Sequence, residues 1–182
     1  MALSATIFKF DVDLSNFDQN LFQNWPLQLA LHPSETNERM VTRLFAFLLN
    51  ANERLSFTKG LSEDTEPDLW QKSYTDEIEL WIELGLPDVK RIKKAVSLSQ
   101  SVKLYVHGGQ AVSQWWDTVR KGCLKYRDLG VYQFDQQAIS TFAAQVERTM
   151  RISVMIQDGA ITVSWAEQML DIPLEVIYES GV

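Results

Sequence analysis

Strand and helix patterns alternate through the second half of the chain, and this alternation constrains the fold more than any other feature. Residues 102–107 and 129–134 have the short apolar pattern of buried strands, and helical patterns follow them at 110–121 and 135–147. A strand–helix–strand–helix rhythm favours a sheet covered by helices. We therefore predict an α/β fold, of the mixed α+β kind, with a central mixed β-sheet and flanking helices.

Further strands are predicted at both ends of the chain. Residues 5–14 and 26–32 alternate apolar and polar side chains, and residues 174–179 form a plausible last strand. Alternation also runs on both sides of Asp158-Gly159. Both residues tolerate the positive φ of a type I′ turn, so the sequence predicts a β-hairpin added to the central sheet.

Length and composition limit the classes of protein that fit. The 182 residues suit one domain, which we predict over residues 1–182. A single Cys and two His exclude an internal disulfide and a structural zinc site, so a hard cation held by oxygen atoms is the metal chemistry left. No apolar run approaches the ~20 residues of a membrane span, and no signal-peptide pattern begins the chain, which predicts a cytoplasmic protein without a membrane partner.

The net charge limits how the protein could bind a polyanion. A formal charge of −7 and a pI of about 4.8 argue against a broad basic surface that coats nucleic acid. Nucleic acid is therefore predicted as a partner only through a local contact.

Carboxylates recur in the stretches 66–73 and 77–95, where the sequence predicts two short strands that a turn at 73–76 joins into a hairpin. Glu83 is flanked by large apolar side chains, so it needs a polar partner if it is buried. Asp68 stands at the start of the first strand, within an acidic run that makes Glu66 an alternative to it. A third carboxylate, Glu38, lies on the line of the buried face of a helix that we expect to begin at an N-cap on Ser34 and to run to about residue 52.

A basic helix is predicted directly after the hairpin, at residues 88–98, with Asp88 as its cap. Its apolar stripe consists of Val89, Ile92 and Val96. Arg91 and Lys93 flank this stripe, and Lys94 lies roughly opposite it.

Carboxylates beside a basic helix are the residue types that a divalent cation needs to activate water near a phosphate. Three carboxylates ~5 Å apart repel by ~3 kcal/mol per pair at an effective dielectric constant of ~20, so such a cluster favours a bound cation. The candidate set is Glu38, Asp68 and Glu83 with one basic residue, around Mg²⁺ or Mn²⁺. The alternatives are a first-turn interaction of Glu38 with its helix and a solvated acidic loop at Asp68.

Five segments, ATIFKF, LHPSETNERM, EPDLW, LWIELGLPDVKRIKKA and MIQDG, spread over nearly the whole chain and resemble the bacterial YaeQ family. The resemblance implies a restriction-endonuclease-like core, similar to the PD-(D/E)XK nuclease superfamily with an altered motif. It also implies that the helix glutamate falls on Glu38 or Glu35, the motif aspartate on Asp68 and the second acidic residue on Glu83.

The motif lysine is missing, because Gly85 stands two residues after Glu83. In the superfamily that this chain resembles, a lysine can migrate to the following helix, which makes Lys94 or Arg91 the replacement and Lys93 the third choice. The leading prediction is a Mg²⁺- or Mn²⁺-dependent nuclease or phosphodiesterase, with Asp68 and Glu83 as metal ligands. The alternative is a catalytically inactive nuclease-like fold that acts as a nucleic-acid- or protein-binding regulatory module.

Overall fold

The computed structural model describes residues 4–59 and 65–180, which divide into two compact units. Unit 1 comprises the described residues up to 49 together with 137–174, and unit 2 comprises those from 50 to 136 and from 175 onward. Each unit is built around one mixed sheet. The mixed α+β class is confirmed, although the strands form two sheets where the sequence predicts one central sheet. The extent of a single domain over residues 1–182 stays a prediction.

The sheet of unit 1 has five strands and pairs the two ends of the chain. Its strands, in the order in which they lie side by side, are β10 (Gln168–Ile172), β9 (Ala160–Trp165), β8 (Thr149–Gln157), β1 (Thr6–Asn16) and β2 (Leu21–Leu31). All neighbours are antiparallel except β1 and β8, which are parallel. The predicted hairpin is confirmed, since Asp158 and Gly159 have φ values of 53° and 73°.

Helices α1 (Asn37–Leu49) and α4 (Gln136–Ala143) supply apolar side chains to the core of unit 1. Phe142 packs against Phe45 and Trp165, with ring centroids 5.5 Å and 5.0 Å away. The predicted N-cap on Ser34 is wrong, because the helix begins at Asn37 and the hydroxyl of Thr36 accepts the N–H of Arg39 at 3.2 Å.

The sheet of unit 2 has six strands and two helices on one face. Its order is β11 (Leu174–Glu179), β7 (Leu129–Phe134), β6 (Ser99–Val106), β5 (Ile78–Leu84), β4 (Leu69–Lys72) and β3 (Leu55–Phe57). Strands β5, β6 and β7 are parallel, and β3, β4 and β5 are antiparallel. Helices α2 (Val89–Leu98) and α3 (Gln110–Cys123) bury Ile92, Ala95, Val112 and Trp115 against Trp81, Val102, Leu104 and Val131 of the sheet.

No helix in the described part of the chain combines the length and the apolar character that a membrane crossing requires. The four helices run for 8 to 14 residues.

Candidate functional site

The hairpin of β4 and β5 brings Asp68 and Glu83 side by side. Leu69 pairs with Ile82 in an antiparallel register, so Asp68 lies across from Glu83, and the N–H of Asp68 donates to the carbonyl of Ile82 at 3.1 Å. Residues directly opposite each other in an antiparallel pair point to the same face, with Cβ atoms ~5 Å apart. The two predicted metal ligands are therefore neighbours within unit 2.

The carboxylate of Glu83 is held by Arg91 and Trp81. Arg91 Nε lies 3.1 Å from Oε1 and Arg91 Nη2 lies 3.1 Å from Oε2, while Trp81 Nε1 donates to Oε2 at 2.9 Å. Only 12% of the Glu83 side chain and 21% of the Arg91 side chain are exposed. The sequence prediction that a buried Glu83 needs a polar partner is confirmed, and the partner is a two-point arginine contact.

Burial raises the pKa of Glu83, because desolvation penalises the ionised carboxylate. Hydrogen bonds from Arg91 and Trp81 oppose this rise in pKa, whereas the charge of Asp68 adds to it. The net direction of the pKa shift is upward, so burial disfavours the ionised form of Glu83 even with the arginine in place.

Asp68 is more deeply buried than Glu83, with 2% of its surface exposed. Its Oδ2 accepts the backbone N–H of Leu84 at 2.9 Å, which ties the start of β4 to the end of β5. The rival carboxylate, Glu66, is half-buried, and its backbone carbonyl accepts Arg91 Nη2 at 2.5 Å. The remaining acidic residues of this run, Glu63 and Asp64, lie outside the described residues.

Gly85, where the resemblance described above predicts a lysine, has a backbone conformation that disfavours a side chain. Its φ is +86°, in the region that L side chains rarely adopt. A lysine at this position would strain the backbone at the end of β5, and Arg91 reaches Glu83 from α2 instead.

Of the basic residues of α2, Arg91 contacts the carboxylate of Glu83 directly. Asp88 caps the helix as predicted, since its Oδ1 accepts the N–H of Arg91 at 2.7 Å. The predicted positions of the other two candidates are wrong: Lys94 is half-buried and Lys93 is exposed. The reason is that the buried face of α2 contains Ala95 together with Ile92, which places Arg91 and Lys94 at its margin.

The helix glutamates, Glu35 and Glu38, belong to unit 1. Glu35 is buried and forms ion pairs of 3.0 Å with both Arg39 and Arg43. Glu38 is half-buried, and its carboxylate has no hydrogen bond to any described residue. These contacts give Glu35 a structural role, whereas the predicted catalytic role of Glu38 stays a prediction.

The fit of a divalent cation can be judged from the donor atoms. No three His, Cys, Asp or Glu side chains within residues 4–59 and 65–180 are grouped so that they could hold a metal ion. Both oxygens of Glu83 accept hydrogen bonds from Arg91 or Trp81, and one oxygen of Asp68 accepts the N–H of Leu84. Mg²⁺ requires near-octahedral oxygen ligands, so a cation here would compete with Arg91 for Glu83. The arrangement fits an arginine better than Mg²⁺ or Mn²⁺.

A basic surface lies on the other side of α2. Between residues 90 and 127, nine residues are Lys or Arg and one is acidic, whereas the whole chain carries −7. Lys90 and Lys93 of α2 and Arg120 and Lys121 of α3 are exposed. We call the exposed basic residues of α2 and α3, with Lys125 just after α3, the α2–α3 basic face.

The sequence prediction overlooked a polar group on the opposite face of the same sheet. Lys103 Nζ donates to Asn50 Oδ1 at 2.7 Å, and the hydroxyl of Tyr132 donates to Glu179 Oε1 at 2.8 Å. The one signal in the sequence is Lys103 itself, which interrupts an otherwise apolar strand.

Comparison with known proteins gives a consistent family. The model of the YaeQ protein family matches residues 1–174. YaeQ of Escherichia coli (strain K12) is 42% identical and YaeQ of Salmonella typhi 43% identical, each over 174 residues that cover 96% of both chains.

Two crystal structures of YaeQ proteins resemble the fold over nearly their whole length. The protein from Xanthomonas axonopodis pv. citri has a TM-score of 0.93 at 39% identity and covers 98% of this chain and 100% of its own. The protein from Pseudomonas syringae has a TM-score of 0.91 at 30% identity and covers 97% of each chain. The chain therefore belongs to the YaeQ family.

Proposed function

We propose that unit 2 is a nuclease-like binding module that takes up nucleic acid on the α2–α3 basic face. The observation that supports this most directly is the charge of this surface: its exposed side chains include Lys90, Lys93, Arg120, Lys121 and Lys125, in a chain of net charge −7. Phosphate contacts by Lys and Arg supply most of the affinity of non-specific nucleic-acid binding. A nucleic-acid ligand also suits the cytoplasmic location predicted from the sequence.

The two helices form one surface because they pack directly against each other. A Cβ on Gly122 of α3 would lie 3.0 Å from Cγ1 of Val89 on α2, so only a glycine allows this approach without a shift of the valine. Trp115 Nε1 of α3 also donates to the carbonyl of Pro87, just before α2, at 2.7 Å. These contacts fix α2 and α3 relative to each other, so the residues that carry the lysines lie on neighbouring helices.

The acidic remainder of the chain makes this contact local. Outside residues 90–127 the chain has eight basic and 23 acidic residues, which repel phosphate. We expect the nucleic acid to lie along the α2–α3 basic face alone.

The Glu83–Arg91 ion pair favours binding over catalysis. Arg91 neutralises Glu83 at two points, so the charge that would attract a divalent cation is already compensated. In this proposal the Asp68–Glu83–Arg91 group fixes the position of α2 on the hairpin.

The test is binding of fluorescein-labelled single- and double-stranded DNA and RNA, followed by anisotropy at low salt. The variant Lys90→Gln/Lys93→Gln/Lys121→Gln removes three charges from the basic face. The matched control Lys9→Gln/Arg148→Gln/Arg151→Gln removes three charges from exposed positions of unit 1. We expect the first variant to lose most of its affinity and the control to lose little. Equal affinity of wild type and the first variant, or no binding by wild type, would overturn the proposal.

A second candidate is the Mg²⁺- or Mn²⁺-dependent phosphodiesterase, which the position of Asp68 across from Glu83 favours. Purified protein is incubated with DNA or RNA and either cation, and Glu83→Gln serves as the comparison. Cleavage by wild type that Glu83→Gln abolishes would establish this candidate in place of a pure binding module. Absence of cleavage, or equal cleavage by both proteins, would remove it.

A further inference from the structure

A cavity of about 140 Å³ opens in unit 2 on the face of the sheet away from α2 and α3. Val102 and Leu104 belong to the core beneath those helices. Lys103 alternates with them along β6, so its side chain points to the opposite face, where it lines the cavity. This cavity is separate from the Asp68–Glu83–Arg91 group.

The floor of the cavity is shaped by Gly130 and Tyr132. A Cβ on Gly130 would lie 2.5 Å from the hydroxyl of Tyr132, so the ring can lie back over β7 only because residue 130 has no side chain. Tyr132 is further fixed by stacking on Tyr105, with ring centroids 5.2 Å apart, and by its hydrogen bond to Glu179. The space is thus formed by rigid groups before any ligand arrives.

Lys103 supplies a positive charge with spare donors at this cavity. Its β-sheet partner is Gly130, over which the Tyr132 ring lies. The Nζ atom donates to Asn50 Oδ1 at 2.7 Å, and no carboxylate of a described residue lies within 4.0 Å of it. An ammonium group has three donors, so this half-buried one, with one observed hydrogen bond and no ion pair to a described residue, can donate to an anionic ligand.

Burial lowers the pKa of Lys103, and the negative charge of Glu179 acts in the opposite direction. The lowered pKa is consistent with an ammonium group that would be stabilised by an anionic ligand. A bound anion would compensate that cost of desolvation.

Volume and the second charged group define the ligand. At about 140 Å³ the cavity is below the ~300 Å³ of drug-sized sites, which favours a small ligand. Glu179 also lines the cavity and accepts a hydrogen bond from the hydroxyl of Tyr132. The negative charge of Glu179 disfavours a ligand with two negative charges, and its remaining lone pairs can accept a hydrogen bond from a donor group of the ligand. We propose that this cavity binds a small α-hydroxy or α-amino acid, with its carboxylate on Lys103 and its hydroxyl or ammonium group on Glu179.

The experiment is calorimetric titration of the full-length protein with glycolate, glycine, acetate and inorganic phosphate at millimolar concentrations. We expect saturable binding of glycolate or glycine and weaker binding of acetate and phosphate. Lys103→Met should weaken binding by about tenfold to a hundredfold, the effect of removing a charge-assisted hydrogen bond. Glu179→Gln should reduce the preference over acetate, which a purely structural role of Glu179 would not do.

A measurement on the wild-type protein covers the case in which Lys103→Met fails to fold. Brief acetylation with acetic anhydride, read by peptide mass spectrometry, should be slowed at Lys103 by the preferred ligand and unchanged at exposed Lys90. The proposal is overturned if none of the four compounds binds saturably, if Lys103→Met binds as well as wild type, or if Lys103 and Lys90 respond alike.

Discussion

Replacing Gly85 tests whether backbone strain explains the absence of a lysine at position 85. The φ of +86° lies in the region disfavoured for residues with a Cβ, and a Cβ built there meets no atom within 4 Å. The cost of a side chain is therefore backbone strain alone, about 1–2 kcal/mol. The backbone cannot relax freely, because the N–H of Gly85 donates to the carbonyl of Tyr105 at 3.2 Å. We expect Gly85→Ala and Gly85→Lys to lower the free energy of unfolding by the same 1–2 kcal/mol.

Urea unfolding followed by tryptophan fluorescence measures this change, since four of the six tryptophans lie in unit 2. In a thermal melt the same loss corresponds to a fall of about 2–8 °C in Tm for a protein of this size. Gly85→Asn is the control, because asparagine tolerates positive φ and should cost less than alanine. If Gly85→Ala is as stable as wild type, backbone strain does not explain the absent lysine.

Two further predictions concern the Glu83–Arg91 pair. Arg91→Met leaves a largely buried carboxylate without its arginine, so the free energy of unfolding in urea should fall by about 2–3 kcal/mol, below the full cost for a completely buried pair. Glu83→Gln should cost less, and a larger loss for Glu83→Gln than for Arg91→Met would contradict this reasoning. The raised pKa of Glu83 means that the folded state binds more protons than the unfolded state between the unfolded value of about 4.5 and the higher folded value. Stability should therefore fall as pH rises through that window, and Glu83→Gln should lack this fall; parallel urea midpoints for both proteins between about pH 4 and pH 7 would refute the assignment.

Local sequence patterns predicted the elements that local chemistry determines. Asp158-Gly159 specified its hairpin because both residues accept positive φ, and Asp88 specified the start of α2 because its carboxylate can accept a free N–H. The hairpin of β4 and β5 followed from alternation on both sides of a polar turn. This hairpin brings Asp68 close to Glu83, so the sequence alone predicts that the two carboxylates are neighbours.

Long-range strand pairing and short edge strands could not be predicted from local sequence patterns. The parallel pairing of β1 with β8 joins residues that are about 140 positions apart, and this pairing creates a second sheet instead of one central sheet. Strands β3 and β10 have three and five residues, too few for a clear alternation. The sequence does not predict the orientation of Lys94, because the apolar stripe of Val89, Ile92 and Val96 omits the small Ala95, which α2 buries together with Ile92.

The salt dependence of nucleic-acid binding tests the central claim most directly. Each phosphate neutralised by a lysine contributes about −0.9 to the slope of log K against log salt concentration for double-stranded DNA. Between about 50 and 200 mM salt, we predict that Lys90→Gln/Lys93→Gln/Lys121→Gln makes this slope shallower by roughly 2–3, while the unit 1 control variant keeps the wild-type slope. An unchanged slope in the first variant, or an equal change in both variants, would contradict nucleic-acid binding on the α2–α3 basic face.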